Sequence, residues 1–171
     1  MSQVKTSGQC DSNLHHNWVN SKSLAAALHF VNQTPIDWFS KLIPTVETST
    51  FGTEAIASRT ATDQIIDLRL TLRYMGVPLG RSVLFGDNQS FIKNSTVPHS
   101  KLKKRHLALA YHRVRSAIAA RILDYYYIPS EENPADICSK HWGYQQIWKV
   151  LKPILFWPGD TFRIYRPTLL A

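Results

Sequence analysis

Four acidic residues of the chain lie where predicted helices or strands begin or end, and carboxylates in such positions can bind metal ions. They are Asp11, Glu54, Asp87 and Asp136. If the fold brings four carboxylates together they repel one another, and hard cations such as Mg²⁺ or Mn²⁺ are their usual counterions. Two such ions about 3.5–4 Å apart are the arrangement used for in-line attack on a phosphodiester. The acids therefore predict nuclease or polymerase chemistry, provided that they converge.

Three of these acids also have a purely structural explanation. Asp87 follows the apolar residues 83–85, a position where an ordinary helix N-cap is also common. Glu54 and Asp136 stand at predicted helix starts, where capping and the helix dipole favour acids. Because the chain has only 12 Asp and Glu residues, the placement of these acids at element ends is informative. The spacing alone leaves both interpretations open.

The charge distribution predicts a polyanionic partner. The 171-residue chain has a formal net charge of +8 and a pI near 9.7, which favours nucleic acid before a membrane surface. A solvated helix face is the alternative explanation of the basic residues. Between positions 101 and 121 there is no acid, and the basic residues are Lys101, Lys103, Lys104, Arg105, Arg113, Arg115 and Arg121.

Composition also limits where the chain is expected to work. No apolar run approaches the roughly 18–20 residues needed to cross a bilayer, and the N-terminus lacks the apolar core of a signal peptide. The two cysteines, Cys10 and Cys138, lack the spacing of a metal site, so we expect reduced thiols and no disulfide. These features favour a cytoplasmic or nuclear location.

The elements that must position the acids alternate between strands and helices. Strands are predicted at 24–31, 35–39, 81–86 and 122–129, and helices at 52–74 and 100–121, with a short helix from 136 and a last one from about 144. This alternation predicts a mixed α/β sheet. The residues expected to face the core are Ala61, Ile65, Leu68, Leu72 and Met75 in the first helix, and Leu102, Leu109, Val114 and Ile118 in the basic helix.

Four motifs resemble those of a known family in order and spacing. They are "SKLIPTVETSTFGTEAIA", "LFGDNQSFI", "HSKLKKRHLALAYHRVR" and "YIPSEENPADICSK". Together they resemble the ribonuclease H domain of copia-type retrotransposon reverse transcriptases, which is part of a Pol polyprotein. The resemblance covers about residues 11–148. It implies an RNase H-like α/β fold, a five-stranded mixed sheet flanked by helices. Residues 1–143 would form this domain, and 144–171 a C-terminal helix and irregular tail packed on it.

The resemblance also implies a function, metal-dependent endonucleolytic cleavage of the RNA strand of RNA–DNA hybrids. The cofactor would be two Mg²⁺ or Mn²⁺ ions. Asp11 would bridge both ions, Glu54 and Asp87 would hold one, and Asp136 the other. The partners would be the hybrid and a polymerase domain or larger assembly. The residues expected to bind nucleic acid are Asn88, Gln89, Lys101, Lys103, Lys104, Arg105 and Arg113.

The sequence departs from the family pattern at several positions. Gly52 replaces the first of two glutamates before the helix, and Ala108 replaces the acid of a His-Ile-Asp motif. Residues 127–135 contain no histidine, so Glu131 or Glu132 would have to assist proton transfer. The segment before Asp11 is polar for a central strand. No polymerase, integrase or protease domain is attached, so we expect a fragment, a decayed copy or a domain adopted by its host.

The main alternative is a catalytically silent RNase H-like relic that binds nucleic acid or protein within a larger assembly. A DNA-cutting relative of the integrase or resolvase kind is a third possibility, which the motifs disfavour. Geometry separates the first two hypotheses. If the four acids converge, activity is plausible, whereas a one-residue slip of the first strand would turn Asp11 away from the others.

Overall fold

The computed structural model describes residues 3–17, 19–141 and 143–155. Its strands are β1 (Thr6–Asn13), β2 (Leu24–Val31), β3 (Thr34–Leu42), β4 (Ser82–Gly86) and β5 (Leu123–Tyr127). Its α-helices are α1 (Thr50–Tyr74), α2 (Gln89–Thr96), α3 (Ala108–Ala119), α4 (Asp136–Ser139) and α5 (Tyr144–Ile154). Two 3₁₀ turns, Arg105–Leu107 and Ser130–Glu132, precede α3 and α4.

The five strands form one mixed sheet in the order β3-β2-β1-β4-β5. Strands β1, β2 and β3 are antiparallel neighbours, whereas β4 pairs in parallel with both β1 and β5. The predicted mixed α/β sheet flanked by helices is therefore confirmed. Because β1 and β4 run in the same direction, their carboxyl ends meet at one edge of the sheet.

The central strand β1 is built from small and polar residues, although an apolar alternation is typical of such a strand. The reason is the close approach of α1. A side chain at Gly8 would meet the His29 ring and Ile65 Cδ1, each at 3.0 Å. The buried hydroxyls of Thr6 and Ser82 on this face hydrogen-bond to each other. The polarity of the segment before Asp11 is thus compatible with a buried central strand.

Small residues also line the sheet-facing side of α1. Ser49 caps its first turn by accepting a hydrogen bond from the backbone N–H of Gly52. The buried residues that follow are mostly small, and they include Ala55, Ala57, Ser58, Ala61 and Thr62. Because no bulky side chains separate α1 from β1, the helix lies close to the strand. Its polar side chains can therefore reach the strand.

The predicted core stripe of α1 is right at its start and wrong only at its last position, Met75. Leu68 and Leu72 between them are half-buried. Ala61 and Ile65 are fully buried, but Met75 is 69% exposed. Arg69 is buried instead, because its guanidinium donates to the carbonyl of Gly80 and to Ser82 Oγ. In the last two turns of α1, the charged Arg69 is therefore more buried than the apolar Met75 that was predicted to face the core.

The predicted helix over 100–121 is shorter than expected. Helix α3 begins at Ala108, and Lys101, Lys103 and Lys104 precede it outside any α-helix. Arg115 binds the carbonyls of Asn94, Val97 and Pro98, which ties the end of α2 and the turn after it to α3. The later start changes which residues face inward: Leu107 is 3% exposed, whereas Leu109 is 84% exposed.

The opposite face of the sheet is covered near the end of the chain. Leu28 and Phe30 of β2 form a second apolar cluster with Ile154 of α5, and Val150 packs against it. Thus α5 packs on the same sheet as the other helices. The predicted irregular tail, residues 156–171, lies outside the described residues.

The structure also shows the state of the two cysteines and the character of the helices. Cys10 is a buried free thiol and Cys138 a half-buried one. Within the described ranges, none of the helices combines the length and the apolar character that a bilayer crossing requires.

The contact between α1 and β1 can be tested through Ile65. We expect Ile65→Ala to lower the free energy of unfolding by about 2–5 kcal/mol, because it empties a fully buried site over Gly8. Urea unfolding measures the change. The matched control is Leu70→Ala in the same helix, where the side chain is 60% exposed and the loss should stay within about 0.5 kcal/mol. Equal losses in the two variants would contradict this packing.

Candidate metal centre

Three carboxylates converge at the edge where β1 and β4 end. One oxygen each from Asp11, Glu54 and Asp87 lie within 4.8 Å of one another. Asp11 is 1% and Glu54 2% exposed, and Asp87 is half-buried. These residues are separated by more than thirty positions from one to the next, so only the tertiary fold brings them together.

The sheet register explains how Asp11 and Asp87 meet. Gln9 pairs with Phe85 across the parallel strands β1 and β4, and each acid lies two residues farther along its strand direction. Successive side chains of a strand point to opposite faces. Cys10 and Ser12 contact Ser58, Thr53 and Glu54 of α1, so Asp11 points to the other face, toward α4.

Glu54 is buried in the second turn of α1, because the helix begins at Thr50 rather than at Gly52. The first turn contains no acid, and Ser49 provides the cap. The structural explanation of Glu54 as a helix-start acid is therefore wrong. Its Oε1 accepts a hydrogen bond from Ser12 Oγ at 2.8 Å. In the part of the chain that the structure describes, Glu54 Oε2 is buried and has no hydrogen-bond partner.

Asp87 does not cap the helix that follows it. Asn88 is the N-cap of α2, and its Oδ1 accepts from the backbone N–H of Phe91 at 3.0 Å. Asp87 Oδ2 instead accepts from Ser130 Oγ at 2.7 Å, which ties the end of β4 to the turn before α4. The capping role considered for Asp87 therefore belongs to its neighbour. Gln89 is exposed on the first turn of α2.

Asp136 lies beside the three-carboxylate group, at the start of α4. Ser139 connects it to Asp11, because its hydroxyl donates to Asp11 Oδ2 and also contacts the carbonyl of Asp136 at 3.3 Å. Lys140 Nζ donates to Asp136 Oδ2 at 2.6 Å. The structure thus brings all four sequence-predicted acids to one edge of the sheet, with three in a tight group and the fourth paired with a lysine.

Burial and mutual repulsion disfavour the charged forms of the inner acids. Burial raises the pKa of Asp11 to about 7, and the charges of Asp136 and Asp87 add to this effect against the hydrogen bond from Ser139 and the charge of Lys140. Burial, followed by the charges of Asp87 and Asp11, holds the pKa of Glu54 well above its usual range. A bound cation would reverse this preference by stabilising the carboxylates.

The donor set fits a hard divalent cation. All the converging side chains offer carboxylate oxygens, the ligands that Mg²⁺ and Mn²⁺ prefer. Glu54 belongs to the group, and its buried Oε2 has no hydrogen-bond donor within the described residues. A buried oxygen without a donor is costly, and a metal ion is one way to satisfy it. The residues present therefore fit a divalent metal.

The predicted nucleic-acid-binding residues divide into free and engaged side chains. Lys101, Lys103 and Arg105 are exposed, and within the described ranges they form no salt bridge. Lys104 Nζ contacts Ser49 Oγ, the N-cap of α1. Arg113 Nε donates to Asp63 Oδ1 at 2.6 Å. The segment 101–105 before α3, which we call the basic loop, therefore presents more positive charge outside ion pairs than α3 itself does.

A buried acid that the sequence did not single out lies beneath this loop. Glu47 is 4% exposed, and its Oε2 lies 3.3 Å from His106 Nε2. It occupies the space above Gly52, since a side chain added at Gly52 would collide with the Glu47 carboxylate. Sequence spacing also missed the hydroxyl donors Ser12, Ser130 and Ser139. Ser130 and Ser139 lie in the motif that contains Asp136, whereas Ser12 lies outside the four motifs and directly follows Asp11.

The sequence is similar to that of a retrotransposon Pol polyprotein. The chain is 29% identical over 133 residues to the retrovirus-related Pol polyprotein from transposon TNT 1-94 of Nicotiana tabacum, covering 78% of this chain and 10% of that protein. The chain thus spans about a tenth of the relative's length. The resemblance to a retrotransposon Pol polyprotein is confirmed. No family model matches the chain.

Solved structures of low sequence identity share the architecture. The N-terminal RNase H domain of a Mycobacterium tuberculosis protein superposes with a TM-score of 0.62 at 14% identity, covering 88% of this chain and 98% of that one. LC11-RNase H1, solved in complex with an RNA/DNA hybrid, gives a TM-score of 0.60 at 15% identity, covering 78% and 92%. The fold is that of ribonuclease H.

The raised pKa of Asp11 predicts how stability depends on pH. Asp11 binds its proton more tightly in the folded state, so the free energy of unfolding should fall as pH rises from about 4 to about 7, by roughly 1.4 kcal/mol per unit of pKa shift. Urea unfolding at pH 4.5 and 7.5 in EDTA measures the fall. Asp11→Asn should reduce it, whereas Asp67→Asn, an exposed acid of α1, should not. An identical pH dependence in all three proteins would contradict the burial of an uncompensated Asp11.

Proposed function

We propose that this chain is a metal-dependent ribonuclease H that cleaves the RNA strand of RNA–DNA hybrids. The observation that carries the proposal is the convergence of Asp11, Glu54 and Asp87, with a buried Glu54 oxygen that lacks a donor. The ribonuclease H fold and the similarity to a retrotransposon Pol polyprotein support it, as does the RNA/DNA hybrid bound by LC11-RNase H1.

The four acids would hold Mg²⁺ or Mn²⁺. Asp11, Glu54 and Asp87 would bind one ion, and Asp11 with Asp136 a second. Such ions supply charge that stabilises the attacking and leaving oxygens of a phosphodiester. The chain's own contribution is to fix the carboxylates in place. Three of the four carboxylates accept a hydrogen bond from a serine hydroxyl and so keep their orientation when no cation is bound. The pairs are Ser12 with Glu54, Ser130 with Asp87, and Ser139 with Asp11.

The turn before α4 is the proposed place for proton transfer. Ser130 ties this turn to Asp87, and Glu131 and Glu132 follow it as exposed residues. An exposed carboxylate beside the metal centre can exchange protons with solvent. We assign this role to Glu131 or Glu132, because both directly follow Ser130, which hydrogen-bonds to the proposed metal ligand Asp87.

The hybrid would bind across the basic loop and the ends of α1 and α2. Lys101, Lys103 and Arg105 would contact phosphates, which supply affinity without sequence preference. Lys104 Nζ contacts Ser49, the N-cap residue of α1. The basic loop therefore packs against the start of the helix that carries Glu54. Asn88 and Gln89 begin α2 next to Asp87 and would contact the strand being cut.

A catalytically silent subunit remains the second candidate, and the observation that favours it is the free basic loop, which would bind nucleic acid without cleavage. In either case the relative's length makes a polymerase domain or larger assembly the expected partner. The two functions differ in one outcome, the cutting of the RNA strand.

Cleavage of a labelled RNA–DNA hybrid tests the proposal. We expect cutting in Mg²⁺ or Mn²⁺, with 5′-phosphate and 3′-hydroxyl ends, and no cutting in EDTA. Asp87→Asn and Glu54→Gln should each lower the rate by at least about 100-fold, because they remove a proposed ligand while keeping the side-chain shape. The control Asp67→Asn removes an exposed acid from α1 and should cut at the wild-type rate.

Two results would count against the enzyme. A hybrid that stays intact over a range of both metals, although the protein binds it, would favour the silent subunit. Equal cutting by wild type, Asp87→Asn and Glu54→Gln would place the activity elsewhere or in a contaminant.

The basic loop can be tested separately from cleavage. Replacing Lys101, Lys103 and Arg105 by Gln should weaken hybrid binding and reduce the slope of log K against log salt by about 1 for each phosphate that the variant no longer neutralises. Titrations at several salt concentrations in EDTA measure the slope. The matched control replaces three other exposed lysines, Lys5, Lys41 and Lys149, and changes the net charge equally. If both triple variants flatten the slope alike, the loop is not a specific contact surface.

A further inference from the structure

A lysine side chain lies on one side of the acid cluster. Lys140 Nζ donates to Asp136 Oδ2 at 2.6 Å, and the side chains are 38% and 8% exposed respectively. Lys140 is also the C-cap residue of α4, so its backbone is fixed by a hydrogen bond from its N–H to the carbonyl of Asp136 at 3.0 Å. The short helix α4 thus fixes the backbone position from which the ammonium group reaches Asp136.

The acids around Lys140 favour its charged form. Lys140 Nζ lies 2.6 Å from Asp136 Oδ2, and the ammonium is the ordinary form of a lysine side chain at neutral pH. A charged ammonium therefore stands next to Asp136, whereas the contacts of Glu54 and Asp87 described above come from hydroxyl groups. The cluster is neutralised on one side and not on the other.

This asymmetry distinguishes two places for a cation. The group of Asp11, Glu54 and Asp87 has no cationic side chain bonded to it within the described residues, and Glu54 Oε2 has no donor. On the other side, Asp136 Oδ2 is already bonded to an ammonium. A divalent ion that uses this oxygen must first separate Asp136 from Lys140.

We propose that Lys140 is a tethered cation that competes with the second metal ion for Asp136. The inference rests on the proposed metal-dependent function and refines it. The first ion binds to Asp11, Glu54 and Asp87, and the second binds more weakly because the Lys140 ammonium has to leave. Since Lys140 is more than a third exposed, its flexible side chain can move into solvent without disturbing the sheet.

Metal titration without nucleic acid tests this role. The full chain is titrated with Mn²⁺, and the electron paramagnetic resonance signal of free Mn²⁺ gives the number and affinity of bound ions. We expect wild type to bind two ions of unequal affinity. Lys140→Met should tighten the weaker site about tenfold or more, because a nearby positive charge is removed, and should leave the stronger site within about threefold.

Three variants keep the result specific. Lys140→Arg retains the charge and should resemble wild type. Lys5→Met removes an exposed lysine just before β1, at the end of the strand away from Asp11, and should bind both ions as wild type does. Asp136→Asn should lose the weaker site and keep the stronger one. Thermal unfolding of each variant checks that it is folded.

The possible failures are distinguishable. If Lys140→Met and wild type bind the same number of ions with the same affinities, Lys140 does not compete and the inference is overturned, whereas hybrid cleavage in Mn²⁺ would leave the proposed function intact. If folded wild type binds no Mn²⁺ at all, the metal-dependent function is overturned together with the inference. Tightening of both sites by Lys5→Met as well would reduce the effect to net charge and overturn the inference.

Discussion

The structure depends on one electrostatic constraint, which is that several carboxylates are buried together where two parallel strands end. Asp11 and Glu54 are almost fully inaccessible, and Asp87 lies within 4.8 Å of both. Burying like charges is unfavourable unless they are protonated or matched by cations. The small residues between β1 and α1, above all Gly8, allow this arrangement, because they let the helix lie close enough for Glu54 to reach the end of the strand. Packing here serves the position of charged groups as much as it serves stability.

The groups that contact the acids from the chain itself do not complete the neutralisation. Ser12 and Ser139 donate neutral hydrogen bonds, which orient Glu54 and Asp11 without cancelling their charge. Lys140 provides a full positive charge, but on the side of Asp136. The inner carboxylates are left with raised pKa values and Glu54 with an unsatisfied oxygen. Functional sites often carry such local instability, because the same groups become stabilised when their ligand binds.

Sequence patterns predicted the sheet, and the family resemblance implied that the acids converge. Neither predicted the details that depend on caps and tertiary hydrogen bonds. The strand before Asp87 was correctly placed, since apolar runs that end in Gly-Asp-Asn are readily recognised. Which of Asp87 and Asn88 forms the cap was not predictable, because both residue types cap helices well. The late start of α3 at Ala108 was not predictable either, and Arg115 ties α3 to carbonyls at the end of α2 through contacts with no signature in local periodicity. Glu47 was missed for the same reason, since its burial depends on the distant His106 and on the missing side chain at Gly52.

The supporting contacts of the acids bear on whether the chain is an enzyme or a silent relic. A relic would keep its fold through the apolar core, and nothing in that core requires a hydroxyl next to each carboxylate. Yet Glu54, Asp87 and Asp11 each accept from a serine on a different element, which in every case is more than forty residues away in sequence. These hydroxyl groups hold the carboxylates in fixed orientations, and a hydrogen bond donated to a carboxylate favours its charged form. A set of donors that orients all three acids is what the proposed metal ligands would need, and it therefore favours the proposed enzyme over the silent relic.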